Sequence, residues 1–263
     1  MNMGLKDRVA IVAAASTGLG RAVAEGLAAE GAHLALCARQ PERLQATADA
    51  LRKQHGVRVL AQAFDVTDAA AAAAFVGAVH KEFQRLDICV TNAGGPPAKP
   101  FSTTTLEEWR QATELNLISH VSFCKAALPI MQQARWGRLL MVTSVAVKQP
   151  IDGLVLSNTV RGAVPGLVRT LANEYGPFNV LVNNLCPGYT LTDRLIELAR
   201  VKALAQGVTP EEAYQGWAQN TALRRLAEPR EFADAAVYLC SERASYITGQ
   251  SLLVDGGFYK GAL

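Results

Sequence analysis

The chain has 263 residues, half of them hydrophobic, which is enough to build a large buried core. Its 26 lysines and arginines against 23 acidic residues leave a net charge of +3, too small to attract nucleic acid or an anionic membrane surface. Five dispersed cysteines without a CxxC pair argue against a disulfide framework, and the four histidines do not join them at metal-ligand spacing, so we expect no metal site.

The beginning of the chain shows no basic stretch followed by an apolar segment, which argues against a signal peptide. The longest apolar run, residues 69–79, is too short to cross a bilayer. We therefore expect a cytoplasmic protein.

Short apolar runs alternate with helical patterns along the chain. Runs that are apolar on both faces and alternate with helices are typical of a parallel sheet covered on both sides. The sequence therefore predicts one doubly wound α/β (Rossmann) domain over residues 1–263, with a seven-stranded parallel sheet and helices on both faces. The predicted strands cover residues 8–14, 32–38, 57–64, 86–92, 137–144, 179–186 and 250–255, and the main helices cover 18–30, 41–55, 68–83, 106–133 and 154–175.

A segment at about residues 191–219 interrupts this alternation between the sixth strand and the last helix. Thr209 precedes Pro210 and stands three residues before Glu212, the pattern of a capping box with proline at the first helical position. The segment suits a small helical substrate lid above the strand ends, and a plain packing insert fits the pattern equally well.

Three turns that follow predicted strands contain residues suited to a ligand. In "AAASTGLG", Gly18 and Gly20 allow the backbone to approach a pyrophosphate at a helix N-terminus, and Ala14 stands where a first glycine is expected. Asp65 follows the third strand, where it either accepts from an adenine amino group or stabilises a turn. Asn92 in "TNAGG" follows the fourth strand, where the glycines suit a close ligand or a tight loop.

In this order and spacing, the motifs resemble the short-chain dehydrogenase/reductase family over essentially the whole chain. Its first-loop pattern Thr-Gly-x-x-x-Gly-x-Gly corresponds to "AAASTGLG", its Asn-Asn-Ala-Gly to "TNAG", its helix asparagine to Asn116 and its catalytic serine to Ser144. The resemblance implies a nicotinamide cofactor, hydride exchange between small-molecule alcohols and carbonyls, and usually a homotetramer. It implies cofactor contacts from Ala14, Ser16, Gly18, Leu19, Gly20, Arg39, Asp65, Val66, Asn92, Gly94, Arg161, Pro187, Gly188, Thr190 and Thr192, and a substrate pocket that includes Gly95, Pro96 and Tyr189.

In the family, a tyrosine acts as the general acid for carbonyl reduction, and a lysine four residues later lowers the pKa of that tyrosine and holds the nicotinamide ribose. Both residues are replaced in this chain. Counted without a gap from Ser144, their positions hold Ser157 and Arg161, and the flanking residues keep the family helix in register. Serine is shorter than tyrosine and a much poorer proton donor than a phenol with a pKa near 10. Arginine keeps the positive charge but does not exchange protons. We predict a catalytic set of Ser144, Asn116, Ser157 and Arg161, with Arg161 over the nicotinamide ribose.

The proton then comes from water or from another side chain. Four residues are candidates, and each has a simpler interpretation. Tyr189 also suits a pocket wall, Lys148 and Asp152 suit solvated surface charges, and His120 suits a core or interface histidine.

The cofactor is predicted to be NADP rather than NAD. Arg39 follows the second strand, where an acidic residue would bind the hydroxyls of the adenosine ribose, and a guanidinium there pairs with a 2′-phosphate. The alternative is a surface arginine at the start of the next helix.

Two functions fit the sequence. The first is an NADP-dependent oxidoreductase with an altered proton-donor site. The second is a cofactor-binding protein with little or no catalysis, acting as a sensor or assembly partner, because fold and cofactor loop do not establish turnover. We also expect a homotetramer, with an apolar helix surface formed by Val155, Val160, Val164, Val168 and Leu171.

Overall fold

Seven parallel strands form one sheet in the computed structural model, which describes residues 2–262. The strand order is β3-β2-β1-β4-β5-β6-β7, so the first three strands are added outward from β1 in one direction and the last four are added in the other. This confirms the predicted doubly wound sheet, and it places a ligand crevice at the carboxyl ends of the central strands. The strands are β1 Val9–Ala13, β2 His33–Ala38, β3 Val59–Ala63, β4 Ile88–Thr91, β5 Gly137–Val142, β6 Val180–Pro187 and β7 Ser251–Val254.

Helices cover both faces of the sheet because the central strands are apolar on both sides. One core lies between the sheet and helices α1 (Gly18–Ala29), α2 (Pro41–His55) and α10 (Pro229–Cys240). The core on the opposite face involves α3 (Ala69–Phe83), α5 (Ser119–Ala134) and α7 (Val164–Tyr175).

Two predicted helices are interrupted in the structure. The segment predicted at 106–133 consists of α4 (Leu106–Thr113), a π-helical turn at Glu114–Ile118, and α5. The segment predicted at 154–175 consists of α6 (Val155–Arg161) and α7. The prediction of a single helix there was therefore wrong. Pro165 is the reason, because it has no N–H for the carbonyl four residues earlier, that of Arg161.

The insertion before the last helix contains α8 (Asp193–Gln206) and α9 (Pro210–Gln219). The predicted capping box is present: the Thr209 hydroxyl accepts from the Glu212 N–H, and the Glu212 carboxylate accepts from the Thr209 N–H. A small separate core that includes Leu195, Ala199 and Trp217 joins the two helices. Within the described chain, every helix is too short or too polar to cross a bilayer.

Candidate active site

A cavity of about 260 Å³ opens at the carboxyl ends of the central strands. Its walls come from the turn before α1, the loops after β4, β5 and β6, helix α6 and the start of α8. The predicted site residues on these walls are Ala14, Gly18, Leu19, Asn92, Gly94, Gly95, Ser144, Ser157, Arg161, Pro187, Gly188, Tyr189, Thr190 and Thr192. The structure therefore brings most of the predicted site together.

The turn between β1 and α1 is built for an anion. Thr17 at the N-cap makes no side-chain hydrogen bond to the helix, and the first turn of α1 contains no acidic residue, so its free N–H groups and helix dipole are available. Gly20 packs so closely on the Ala14 carbonyl that any side chain would collide with it. Ala14 itself has φ +51°, a left-handed conformation that explains why a glycine is expected there.

Five predicted cofactor residues do not line the cavity: Ser16, Gly20, Arg39, Asp65 and Val66. Arg39 is exposed just beyond β2, and its side chain has no hydrogen bond or ion pair within residues 2–262. The Asp65 carboxylate accepts hydrogen bonds from the N–H and hydroxyl of Thr67, at 3.0 and 2.9 Å, which is the turn role that the sequence left open. Val66 is a buried core residue.

Arg161 lies at the end of α6 with its guanidinium buried against the cavity wall. Nη1 donates to the Thr143 carbonyl at 3.0 Å and Nη2 to the Gly94 carbonyl at 3.1 Å, so that the side chain joins the loops after β5 and β4. Burial, with a smaller contribution from the positive charge of Arg194, lowers the pKa of Arg161 to about 10. The guanidinium is still charged at neutral pH, although no carboxylate of the described chain pairs with it.

The two serines present hydroxyl groups to the same cavity. Ser144 precedes a short 3₁₀ turn, and its Oγ accepts from the Ala146 N–H at 3.1 Å while its proton is free to be donated. Ser157 is 8% exposed, lines the cavity and makes no side-chain hydrogen bond within the described chain. Both hydroxyls are available to a substrate oxygen.

Asn116 lies behind the cavity wall, in the π-helical turn. Its Nδ2 donates to the Gly94 carbonyl at 2.9 Å, the same oxygen that Arg161 binds. Its Oδ1 is buried and has no protein partner within residues 2–262. Buried polar atoms are normally paired, so this oxygen fits a bound water or ligand group. A π-helical turn is a frequent feature of functional sites.

Two candidate proton donors are placed where they are poor acids. The Tyr189 ring stacks on Trp217 and packs edge-on against Phe258, and burial raises its pKa to about 12. His120 is buried with Nδ1 2.6 Å from the Thr91 hydroxyl, and burial lowers its pKa to about 3. Tyr189 is therefore a pocket wall and His120 a neutral core histidine. Lys148 and Asp152 are exposed.

The sequence predicted no role for two residues that contribute to this site, Asn158 and Arg194. Asn158 exchanges two hydrogen bonds with the backbone of Ile151, a cavity residue, and so fixes the loop before α6. Arg194 reaches from α8 to the loop after β4, where Nη2 donates to the Pro96 carbonyl at 2.7 Å. Thr192 is the N-cap of α8, and no local sequence pattern indicates the contact of Arg194 with Pro96.

The residues present fit a nicotinamide dinucleotide. The α1 N-terminus offers free N–H groups to a pyrophosphate. Gly188 leaves no room for a side chain against Asp255, so the loop after β6 passes close to β7, beside the cavity. The Thr190 hydroxyl on the cavity wall is buried without a protein partner in the described chain and suits a hydrogen bond to a ligand. Sheet and crevice define a dinucleotide-binding protein of the doubly wound class.

Comparison with known proteins narrows this class. The family model described as "Enoyl-(Acyl carrier protein) reductase" matches residues 13–259. The 3-oxoacyl-(acyl-carrier-protein) reductase of Aquifex aeolicus is 30% identical, covering 98% of this chain and 100% of the relative. The chain belongs to the short-chain dehydrogenase/reductase family, whose matched members are oxidoreductases.

Two solved structures are similar over nearly their whole length. The L-sorbose reductase of Gluconobacter frateurii, solved with NADPH and L-sorbose, has a TM-score of 0.94 at 35% identity, and the match covers 99% of this chain and 100% of that one. A 7α-hydroxysteroid dehydrogenase, solved with NADH and 7-oxo glycochenodeoxycholic acid, has a TM-score of 0.87 at 32% identity, with 97% and 96% coverage.

Proposed function

We propose that the protein is an NADP-dependent oxidoreductase that interconverts a carbonyl and an alcohol without the family's tyrosine. One observation carries the proposal: two free hydroxyls and a fixed cation, from Ser144, Ser157 and Arg161, line the cavity that begins at the α1 N-terminus. Hydroxyl donors and a fixed positive charge at one point stabilise the negative charge that develops on a substrate oxygen.

The reduced cofactor, when bound, supplies a hydride to the carbonyl carbon, and the oxygen gains one proton. Ser144 and Ser157 donate hydrogen bonds to that oxygen, and Arg161 holds the loops after β4 and β5 in place while adding its charge. Because neither serine nor arginine is a useful acid at neutral pH, the proton comes from water in the open cavity. Loss of general-acid assistance costs about 10²- to 10⁴-fold in rate, which slows turnover without abolishing it.

The test is a screen of carbonyls and alcohols with NADPH or NADP, read by nicotinamide absorbance. Turnover of at least one compound, abolished by Arg161→Ala, supports the proposal. Tight NADPH binding in calorimetry with no turnover of any compound favours the second function, a cofactor-binding protein that acts as a sensor or assembly partner.

The preference for NADP rests on Arg39. The related structures contain NADPH in one case and NADH in the other, so family membership does not decide between the two cofactors. Arg39 is exposed beyond β2 with no protein partner among the described residues, and a charge-assisted contact with a 2′-phosphate is worth about 10- to 150-fold in affinity. Arg39→Ala is expected to remove this preference in calorimetric titrations with NADP and NAD. Lys53→Ala, an exposed cation at the far end of α2, is the matched control, and equal binding of both cofactors by the unmodified protein would contradict the assignment.

A further inference from the structure

Arg194 is a second cation of the active-site cavity and has no role in the proposed chemistry. It stands in the first turn of α8, is half-buried, and reaches across to the loop after β4. Its charged partner, Glu197, lies three residues further along the same helix at 2.9 Å, with 64% of its side chain exposed. An exposed ion pair of this kind contributes little, so the guanidinium can exchange it for a better anion.

The loop beneath Arg194 is shaped to receive the guanidinium. A Cβ on Gly95 would lie 2.9 Å from Arg194 Nε, closer than carbon and nitrogen normally approach, so the side chain lies directly on this glycine. Among residues 2–262, the guanidinium makes a single hydrogen bond to this loop, from Nη2 to the Pro96 carbonyl. Guanidinium N–H groups in a planar fork bind a carboxylate through two parallel hydrogen bonds.

The charges that face the cavity are unbalanced. Its lining contains two arginines, Arg161 and Arg194, and one acidic residue, Asp193, which is exposed and forms no ion pair in the described chain. Arg194 is close enough to Arg161 for its positive charge to lower the pKa of Arg161, after the larger effect of burial. The repulsion between two like charges in one cavity is reduced when an anion binds between them.

We propose that Arg194 recognises an anionic group of the substrate, and that the substrate is a small oxo acid with an apolar body. The apolar body fits the remaining walls, which include Ile151, Leu154, Leu195 and Leu198. The carbonyl oxygen contacts Ser144, Ser157 and Arg161, while the carboxylate contacts Arg194 at the start of α8. This inference rests on the proposed function, because it assumes that the cavity holds a carbonyl substrate.

The anion that Arg194 binds has two chemical sources, the substrate and the pyrophosphate of the cofactor. Thr192, two residues earlier, lies 3.6 Å from the position of a Cβ on Gly18, so the start of α8 adjoins the phosphate-binding turn. Arg194 itself lies on Gly95 and Pro96, beyond that turn. We therefore assign it to the substrate, and the experiment separates the two sources.

The experiment compares each acid with its methyl ester, which carries the same carbonyl without the charge. The probes are benzoylformate, acetoacetate and 4-oxopentanoate, each with its ester, and kcat/KM is measured for the unmodified protein and for Arg194→Gln. We expect the acid-to-ester ratio of kcat/KM to fall about 10- to 150-fold in Arg194→Gln, the range for one charge-assisted contact. The NADPH dissociation constant, measured by calorimetry, is expected to stay within about twofold.

Three further variants sharpen the comparison. Arg194→Lys keeps the charge but loses the planar fork, so the acid-to-ester ratio should fall only partly. Gly95→Ala displaces the guanidinium without changing any charge and should lower the same ratio. Arg200→Gln removes an exposed cation of the same helix and should leave the ratio unchanged.

The outcomes separate this inference from the proposed function. An unchanged acid-to-ester ratio in Arg194→Gln overturns the inference and leaves the function intact. NADPH binding weakened as much as acid turnover assigns Arg194 to the cofactor and also overturns it. If no probe turns over, acid binding to the protein–NADPH complex is titrated instead. Binding that depends on Arg194 then supports the inference, and binding that does not depend on it overturns the inference. The proposed function is decided separately, by the wider screen of carbonyls and alcohols.

Discussion

At the scale of single residues, Ser144 and Arg161 should fail in different ways when they are removed. Ser144→Ala takes one hydroxyl from the substrate oxygen, so turnover should fall about 10²- to 10³-fold, the range for a lost oxyanion donor, with unchanged NADPH affinity. Arg161→Ala should abolish turnover and weaken NADPH binding, because the Thr143 carbonyl loses this donor, the Gly94 carbonyl is left to Asn116, and the cavity loses the Arg161 charge. Single-turnover rates and calorimetry measure both effects. Normal binding and turnover by Arg161→Ala would refute the assigned site.

The replaced tyrosine and lysine allow a direct test of the proton route. Ser157 lines the cavity without a protein partner in residues 2–262, so a tyrosine there points into free space. Ser157→Tyr alone should not raise turnover, because Arg161 does not relay protons. Ser157→Tyr combined with Arg161→Lys should turn over faster than either single variant and acquire a pH dependence set by the phenol. Full activity of Ser157→Tyr alone would contradict this explanation.

The sequence predicted which residues line this cavity better than it predicted the hydrogen bonds that they make. The ungapped interval from Ser144 put Ser157 and Arg161 on one cavity wall, as the structure has them. The contacts of Arg161 and Arg194 were not predictable, because their partners Gly94 and Pro96 lie 67 and 98 residues away along the chain. Such contacts depend on how distant loops meet, and no local pattern encodes them.

At the scale of secondary-structure elements, hydrophobic periodicity predicted the strands well and the long helices less well. Continuous apolar runs indicate the strands because both faces of each central strand are buried. The π-helical turn around Asn116 leaves the apolar period nearly unchanged, so the sequence shows one helix. Pro165 indicates the break between α6 and α7, because the residue before a proline is biased away from the helical conformation. The prediction of one helix did not take this residue into account.

The loop between β5 and α6 should depend on Asn158. Its amide accepts from the Ile151 N–H at 3.2 Å and donates to the Ile151 carbonyl at 2.8 Å, and both bonds are partly buried. Asn158→Ala should lower the free energy of unfolding by about 1–3 kcal/mol, the sum of two ordinary hydrogen bonds. It should also raise KM, since Ile151 and Leu154 line the cavity. Chemical denaturation and steady-state kinetics measure the two effects.

Matched variants test whether the Asn158 effect is specific. Asn158→Asp cannot donate to the Ile151 carbonyl at neutral pH, so it should be destabilised as well. Thr159→Ala, at the next and exposed position of α6, should change neither stability nor KM. If Asn158→Ala is as stable as the unmodified protein, the loop is held by other contacts.

At the scale of the whole molecule, the predicted interface surface needs correction. Val160, Val164 and Val168 are at most 7% exposed and pack inside their own protomer, so they are not available to a partner. The structure instead leaves an apolar surface at the edge of the sheet. Leu252 in the edge strand β7 is 42% exposed, and Tyr246 is fully exposed. An exposed apolar edge strand is a pairing surface that proteins normally cover.

We predict a homotetramer in which the β7 edge supplies one of two distinct interfaces, since a closed tetramer of two-fold symmetry needs two. Leu252→Lys places a charge at that edge and should reduce the tetramer to a dimer in light scattering at micromolar concentration. Leu204→Lys, at an 88% exposed position of α8, should leave the tetramer intact and serves as the control. The dimer that remains would use the helical face that includes α5 and α7, where Ile130 and Leu171 are half-buried. A monomer mass for the unmodified protein would refute the tetramer. An unchanged mass for Leu252→Lys would show that the β7 edge is not one of the interfaces.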